Sequence, residues 1–262
     1  MTVDALIAER RQAGHHRLNA DDAARFNSAI HLMPPAPASV LDVGCGVGVL
    51  TDLLASLGYY ATGVDTDEHL MSRMVAPHRV ASIAALPFDD ASFDSVIASE
   101  ILEHLPVTVY EAGRAELARV ARSAVVVTVP NAESLEAAST RCPGCFCVYS
   151  IHGHVRRFDR DDMPGLLAGW HLTAIEQVGP WKLRHRSVEW IVRRRLLGKW
   201  PPQPGAVCPQ CQYQQPGALV AASASGRLRA AAKLLAAAPW RQRWWLSARY
   251  ERKVAADSAF PL

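Results

Sequence analysis

VLDVGCGVG, residues 40–48, sets an apolar, β-forming run against three glycines spaced two apart. Glycine is required where a chain turns tightly or where a ligand presses against the backbone, so the stretch predicts a buried strand, a turn and a helix. VLTDLLASLG (49–58) continues with helical spacing and a glycine stop, and YATGVDTD (60–67) repeats the strand. Asp42 precedes the glycines by two, where a carboxylate can receive a cationic amino group. Asp65 ends the second strand, where an acid suits a ribose diol. The Gly-Lys-Ser/Thr signature of a phosphate-binding loop is missing.

The same rhythm runs outward from this unit. NADDAARFNSAIHLM (19–33) opens with capping residues and spaces its apolar residues as a helix, which prolines end. DEHLMSRMV (67–75), VTVYEAGRAELARVAR (107–122) and DRDDMPGLLAG (159–169) read as further helices. HRVASIA (78–84), FDSVIAS (93–99), AVVVTVP (124–130), HLTAIEQVG (171–179) and RWWLSARYER (243–252) read as strands. Near-continuous apolar strands alternating with helices indicate a sheet covered on both faces. The expected fold is α/β: a Rossmann-like sheet of seven strands, mostly parallel with the last antiparallel, flanked by helices. Two stretches, 131–157 and 181–242, break the rhythm. They divide the chain into an N-terminal helical segment (1–35), a core (36–180) interrupted by the first insertion, and a last strand and tail (243–262).

VLDVGCGVGVLT, GVDTD, ALPFDDASFDSVIASEILEHL and the GHVRRF segment together resemble class I S-adenosylmethionine-dependent methyltransferases, from about Val40 to Gly179. The resemblance implies methyl transfer from S-adenosylmethionine to an O or N atom. It implies that Gly44, Gly46 and Gly48 border the methionine portion, that Asp65 holds the ribose hydroxyls and that Ser82 and Ile83 stand at the adenine. Cys45, Thr66 and Ser99 are further candidate cofactor residues. The family usually carries an acid-Ala pair where this chain has Ser82-Ile83, so the Ser82 hydroxyl, accepting one hydrogen bond from the adenine amine, would stand in for a carboxylate there.

SEILEHL (99–105) follows the fourth strand, at the carboxyl edge where open α/β sheets bind ligands. If residues 100–104 start a helical turn, Glu100, Glu103 and His104 fall at i, i+3 and i+4 and share one face. Two carboxylates and an imidazole can hold Mg2+ or another divalent metal with open positions. The cluster resembles that of the ubiquinone-pathway O-methyltransferases and of the small-RNA 3′-terminal 2′-O-methyltransferases. In the latter a downstream histidine completes the metal site, and His154 lies at the comparable place in chain order. Without a metal, His104 or His154 is the candidate general base, because imidazole titrates near neutral pH.

CPGC (142–145) and CPQC (208–211) each present two thiolates across a tight turn, the arrangement of a four-thiolate zinc site. The ligands would be Cys142, Cys145, Cys208 and Cys211. Phe146 and Gln212 stand where a glycine often follows such knuckles, and Cys147 is an alternative ligand. By element order the two insertions would leave the catalytic edge of the sheet, so a zinc joining them would staple a lid beside the acceptor. The second insertion is rich in arginine and lysine, with an Ala-rich helical stretch (218–238), and Trp181, Trp190, Trp200, Trp240, Trp244 and Trp245 lie in or around it.

Half of the 262 residues are hydrophobic and a fifth charged, which describes an ordinary globular chain. No apolar run is long enough to span a membrane and the N-terminus lacks a signal core, so a cytoplasmic location is expected. The net charge of +3 hides an asymmetry: residues 1–181 carry −9 and residues 182–262 carry +12. The leading reading is a methyltransferase for a small, anionic or polyhydroxylated acceptor. A metal-assisted RNA ribose 2′-O-methyltransferase and a non-catalytic cofactor-binding partner protein are the alternatives.

Overall fold

A computed structural model describes residues 3, 5, 7, 8, 21–136, 138–184, 200, 206–215 and 240–252. The Ala-rich stretch 218–238, Trp190 and the basic residues Arg193, Arg194, Arg195, Lys199, Arg227, Arg229 and Lys233 lie outside them. The chain divides into two compact units: Met1–Ala132, Phe158–Pro180 and Arg243–Leu262 form the first, Glu133–Arg157 and Trp181–Gln242 the second.

The first unit contains helix α1 (Asp22–His31), β1 (Ser39–Val43), α2 (Val49–Ser56), β2 (Tyr60–Asp65), α3 (Glu68–Met71), β3 (His78–Val80) and β4 (Phe93–Ser99). It continues with a 3-10 turn (Leu102–His104), α4 (Val107–Val120), β5 (Ala121–Pro130) and a second 3-10 turn (Arg160–Gly165). Between β5 and that second 3-10 turn lie two short strands of the second unit, β6 (Ser139–Arg141) and β7 (Val148–Ser150), and after it come β8 (Trp170–Arg184) and β9 (Trp240–Arg252). One seven-stranded sheet runs β3-β2-β1-β4-β5-β9-β8. β1 pairs in parallel with β2 and β4, and β4 with β5. β9 is antiparallel to β5, with Val127 opposite Ala248. The expected α/β architecture, mostly parallel with an antiparallel last strand, is present.

Alternation along the strands explains why both faces are covered. Leu41 and Val43, Val96 and Ala98, and Val125 and Val127 enter one core with Leu117 and Val120 of α4. Their neighbours Val40, Ile97 and Val126 enter the other, with Phe26 of α1 and Leu53 and Leu54 of α2. Successive strand side chains point to opposite faces, so only a run apolar at every position can feed two cores. Order β3-β2-β1-β4-β5 reverses direction between β1 and β4, and the carboxyl ends at that switch point are where such sheets receive ligands.

Three expected elements are shorter or different. The helix expected over 67–75 is one turn, capped by the Asp67 carboxylate on the backbone N–H groups of His69 and Leu70. The strand expected over 78–84 stops at Val80, because Ser82 closes a turn: its hydroxyl accepts from Ala84 N at 3.2 Å and its carbonyl from Ala85 N. Residues 160–165 form a 3-10 turn rather than the opening of an α-helix; Asp159 caps it reciprocally with Asp162, and Pro164 sits inside it.

In the second unit, β6 and β7 pair as a hairpin, Ser139 opposite Ser150. A bridge between Val207 and Gln214 forms its counterpart. Among the described residues no helix is long and apolar enough to cross a membrane.

Candidate active site

The glycine turn after β1 is held on both flanks. Gly44 N and Cys45 N donate to the Val64 carbonyl of β2, and Gly48 N to the Cys45 carbonyl. Gly44, Gly46 and Gly48 all adopt positive φ, which L side chains disfavour. They differ in what surrounds them. A Cβ on Gly44 would come within 2.2 Å of the Ile101 side chain, and one on Gly48 within 2.2 Å of Met74. A Cβ on Gly46 would meet nothing within 4 Å. Gly44 and Gly48 therefore serve packing, while Gly46 opens its backbone to free space.

Three ionisable groups accompany this opening. Asp42 is buried and its Oδ2 accepts from the Thr51 hydroxyl at 2.7 Å. Burial pushes its carboxyl up to about 6, against the lowering effects of Thr51 and of the Arg25 cation. Asp65 accepts from Gly46 N at 2.9 Å through Oδ2 and from Asp67 N at 3.0 Å through Oδ1, leaving lone pairs on each oxygen. Arg25, on α1, escaped the sequence reading. It is buried, pairs with Asp22 at 2.9 Å, donates to the Ser99 hydroxyl at the end of β4, and its Nε has no partner. A signal existed: Asp22, Arg25 and Ser28 form a buried polar stripe at every third position among Ala23, Phe26 and Ala29. A buried charge is costly unless paired, and Asp22 and the Ser99 hydroxyl pair this one while its Nε stays unsatisfied.

The other expected cofactor residues are placed as follows. Cys45 lies partly buried in the turn, where burial raises its thiol, and Asp42 and Asp65 raise it further. Thr66 and Ser82 are exposed, and Ile83 is buried against Gly113 of α4. Ser99 also shares a hydrogen bond with Thr128 of β5 at 2.7 Å.

The Glu-x-x-Glu-His cluster departs from expectation. Glu100 takes φ +56, a left-handed conformation that prevents a helix from starting there. Only Leu102–His104 winds, as a 3-10 turn, and Leu105 is extended before Pro106. The three side chains therefore do not share a helical face. Glu100 accepts from Trp245 Nε1 of β9 at 2.9 Å. Glu103 is buried and His104 exposed, with a carboxylate oxygen and a ring nitrogen within 4.8 Å of one another. His154 belongs to the second unit, where its Nδ1 meets the Glu133 carboxylate and its ring lies 5.5 Å from that of His152.

The second unit gathers four cysteines. The Sγ atoms of Cys142, Cys145, Cys208 and Cys211 lie within 4.8 Å of one another, with Cys142–Cys211 and Cys145–Cys208 at 3.5 Å. The two knuckles repeat one geometry: Cys142 N donates to Cys147 O and Phe146 N to Cys142 O, as Cys208 N does to Tyr213 O and Gln212 N to Cys208 O. Burial raises the Cys208 thiol, but backbone N–H groups of Cys211 and Gln210 outweigh it and bring it down to about 6. Cys147 stands outside the group, its carbonyl engaged by Cys142. Gln215 Nε2 ties the hairpins, reaching Thr140 Oγ1 and the Tyr149 hydroxyl at 3.3 Å. Four converging soft ligands fit a tetrahedral zinc ion.

Comparison with known proteins agrees with this geometry. Residues 41–143 match the family described as "Methyltransferase domain". The ubiquinone biosynthesis O-methyltransferase of Xanthomonas axonopodis pv. citri is 36% identical over 99 residues, 34% of this chain and 41% of that protein. The protein of the same name from Albidiferax ferrireducens is 39% identical over 88 residues, 29% of this chain and 34% of that protein. The chain thus spans about two fifths or less of the length of these curated relatives. Among solved structures, the S-adenosylmethionine dependent methyltransferase of Mesorhizobium loti aligns with TM-score 0.52 at 13% identity, over 89% of this chain and 100% of that one. A chain of the Haloferax volcanii complex between the Trm112 methyltransferase activator and a methyltransferase aligns with TM-score 0.53 at 15% identity, over 95% and 97%. Both share the fold. The match over residues 41–143 to a methyltransferase domain falls within the seven-stranded sheet that these two solved methyltransferase structures share.

Proposed function

We propose that the protein transfers the methyl group of S-adenosylmethionine to an O or N atom of a small, anionic or polyhydroxylated acceptor. The observation that carries this reading is the opening at Gly46, flanked by the Asp42 and Asp65 carboxylates and accompanied by the buried Arg25. The donor set fits the cofactor's charges. Asp42 is suited to the ammonium, Arg25 to the carboxylate and Asp65 to the ribose hydroxyls, while Gly46 lets the backbone approach. When bound, the cofactor supplies an electrophilic sulfonium methyl. The protein's own part is then to orient the acceptor atom and take its proton, for which His104 is the candidate.

The Cys142, Cys145, Cys208 and Cys211 group is proposed to hold one structural zinc ion, and the second unit to select the acceptor. The name of the Xanthomonas relative supports an O-methyl acceptor, and does so weakly because the match covers a minority of both chains. A second reading, methylation of RNA with a divalent cation on Glu103 and His104, draws on the charge partition: the second unit carries +11 and the first −8.

Calorimetry with S-adenosylhomocysteine, then transfer of labelled methyl to an acceptor panel, tests the proposal. Micromolar binding that Arg25→Ala weakens at least tenfold is the expected result. Absence of binding by the folded, zinc-replete protein would sink it.

A further inference from the structure

Phe146 occupies a position that its side chain makes costly. It follows the second cysteine of the first knuckle at φ +61, while Gln212 holds the equivalent place at φ +58. Glycine or asparagine takes that left-handed conformation with less strain, and a bulky residue there is a genuine outlier. Its ring recovers little by burial, since 61% of the residue is exposed. The Arg141 guanidinium lies over the ring at 4.7 Å. An exposed cation–π pair returns no more than such backbone strain costs, so stability does not account for the residue.

The surroundings share this character. Tyr213, which follows the second knuckle, is also exposed, and its ring edge would lie 4.0 Å from a Cβ on Gly144 of the first. Two exposed rings and an arginine therefore sit on one cysteine cluster. Phe146, Val148, Val155, Trp181, Val207 and Tyr213 make up half of the exposed large apolar side chains among the described residues. All six belong to the second unit, which holds the smaller share of the described residues. That unit holds 14 lysines and arginines against 3 acids.

We infer that the knuckle surface around Phe146, Arg141 and Tyr213 is a docking site for single-stranded nucleic acid. Rings stack on bases irrespective of sequence, and a guanidinium already lying on one of them reinforces a stack while meeting phosphate. The unit's net charge of +11, counted over its sequence, favours a phosphodiester chain as the partner. An acidic protein segment would satisfy the charge but not the exposed π faces. The inference is independent of methyl transfer and requires only that the second unit be folded.

Fluorescence anisotropy of the full-length, zinc-replete protein tests it, with a labelled single-stranded RNA of mixed sequence and a polyglutamate peptide of equal charge as probes. The RNA should bind, and three phosphate contacts should cost about 20-fold in affinity between 50 and 200 mM salt. Phe146→Gly should weaken binding at least about fivefold while leaving the melting temperature unchanged or higher, because glycine relieves the backbone. Arg141→Gln, which keeps the backbone untouched, should weaken it as well and flatten the salt slope. No RNA binding, RNA binding equal to that of polyglutamate, or full binding by Phe146→Gly would overturn the inference. Cofactor affinity measured on the same samples separates the two readings: intact cofactor binding without RNA binding refutes only this one.

Discussion

Gly46→Ala separates backbone strain from ligand contact. At φ +53 an L residue in place of glycine costs about 1–2 kcal/mol, and no clash adds to it because a Cβ there meets nothing within 4 Å. For a chain of this size that corresponds to a fall in melting temperature of roughly 2–8 °C. The cofactor would meet the new methyl in the space beside Gly46. Displacing it should cost at least about 1.4 kcal/mol, a tenfold loss in affinity. Gly169→Ala is the matched control, since Gly169 also has positive φ (+79) and nothing within 4 Å of its Cβ position. Both variants should melt lower by similar amounts; only Gly46→Ala should bind S-adenosylhomocysteine more weakly by calorimetry. Equal affinity in Gly46→Ala and the parent would refute the assignment of that opening to the cofactor, whatever the melting curves show.

Further outcomes follow from the same geometry. The Asp42 carboxyl, pushed up to about 6 by burial, contributes stability below its unfolded value of 3.8 that is lost as pH rises through 6. Cofactor affinity should run the opposite way, rising with pH through about 6 as the carboxylate forms, and Asp42→Asn should flatten that profile in calorimetry from pH 5 to 8. Elemental analysis should find about one zinc per chain. Cys208→Ser should lower it and Cys147→Ser should not, because only the former belongs to the converging group; equal losses would make Cys147 a ligand. His104→Ala should reduce turnover by 10²-fold or more while changing cofactor affinity little, and the reverse pattern would make it a packing residue.

Much of the first unit was legible in the chain. The alternation of continuously apolar strands with helices implies a sheet with two covered faces, and Leu41 and Val40 indeed feed opposite cores. The glycine turn was legible because strand, glycines and helix are contiguous, so local chemistry carries the signal. The helical face expected of Glu100, Glu103 and His104 is absent for a local reason that sequence spacing does not carry. Glu100 adopts a left-handed backbone and Pro106 closes the turn, so helical spacing never applies. Arg25 was missed because its relevance is not local: Ser99, which it contacts, is 74 residues away along the chain.

The sequence alone determined most of the elements, the turn at Asp42–Gly48 and the presence of two Cys-Pro-x-Cys knuckles, since each depends on neighbours within a few residues. Only the tertiary structure decided which glycine faces open space, which arginine is buried beside the acids and which four of five knuckle cysteines converge. Those outcomes depend on contacts between segments far apart in the chain, and the free energy that fixes them, burial and charge in a shared environment, exists only once the segments have met.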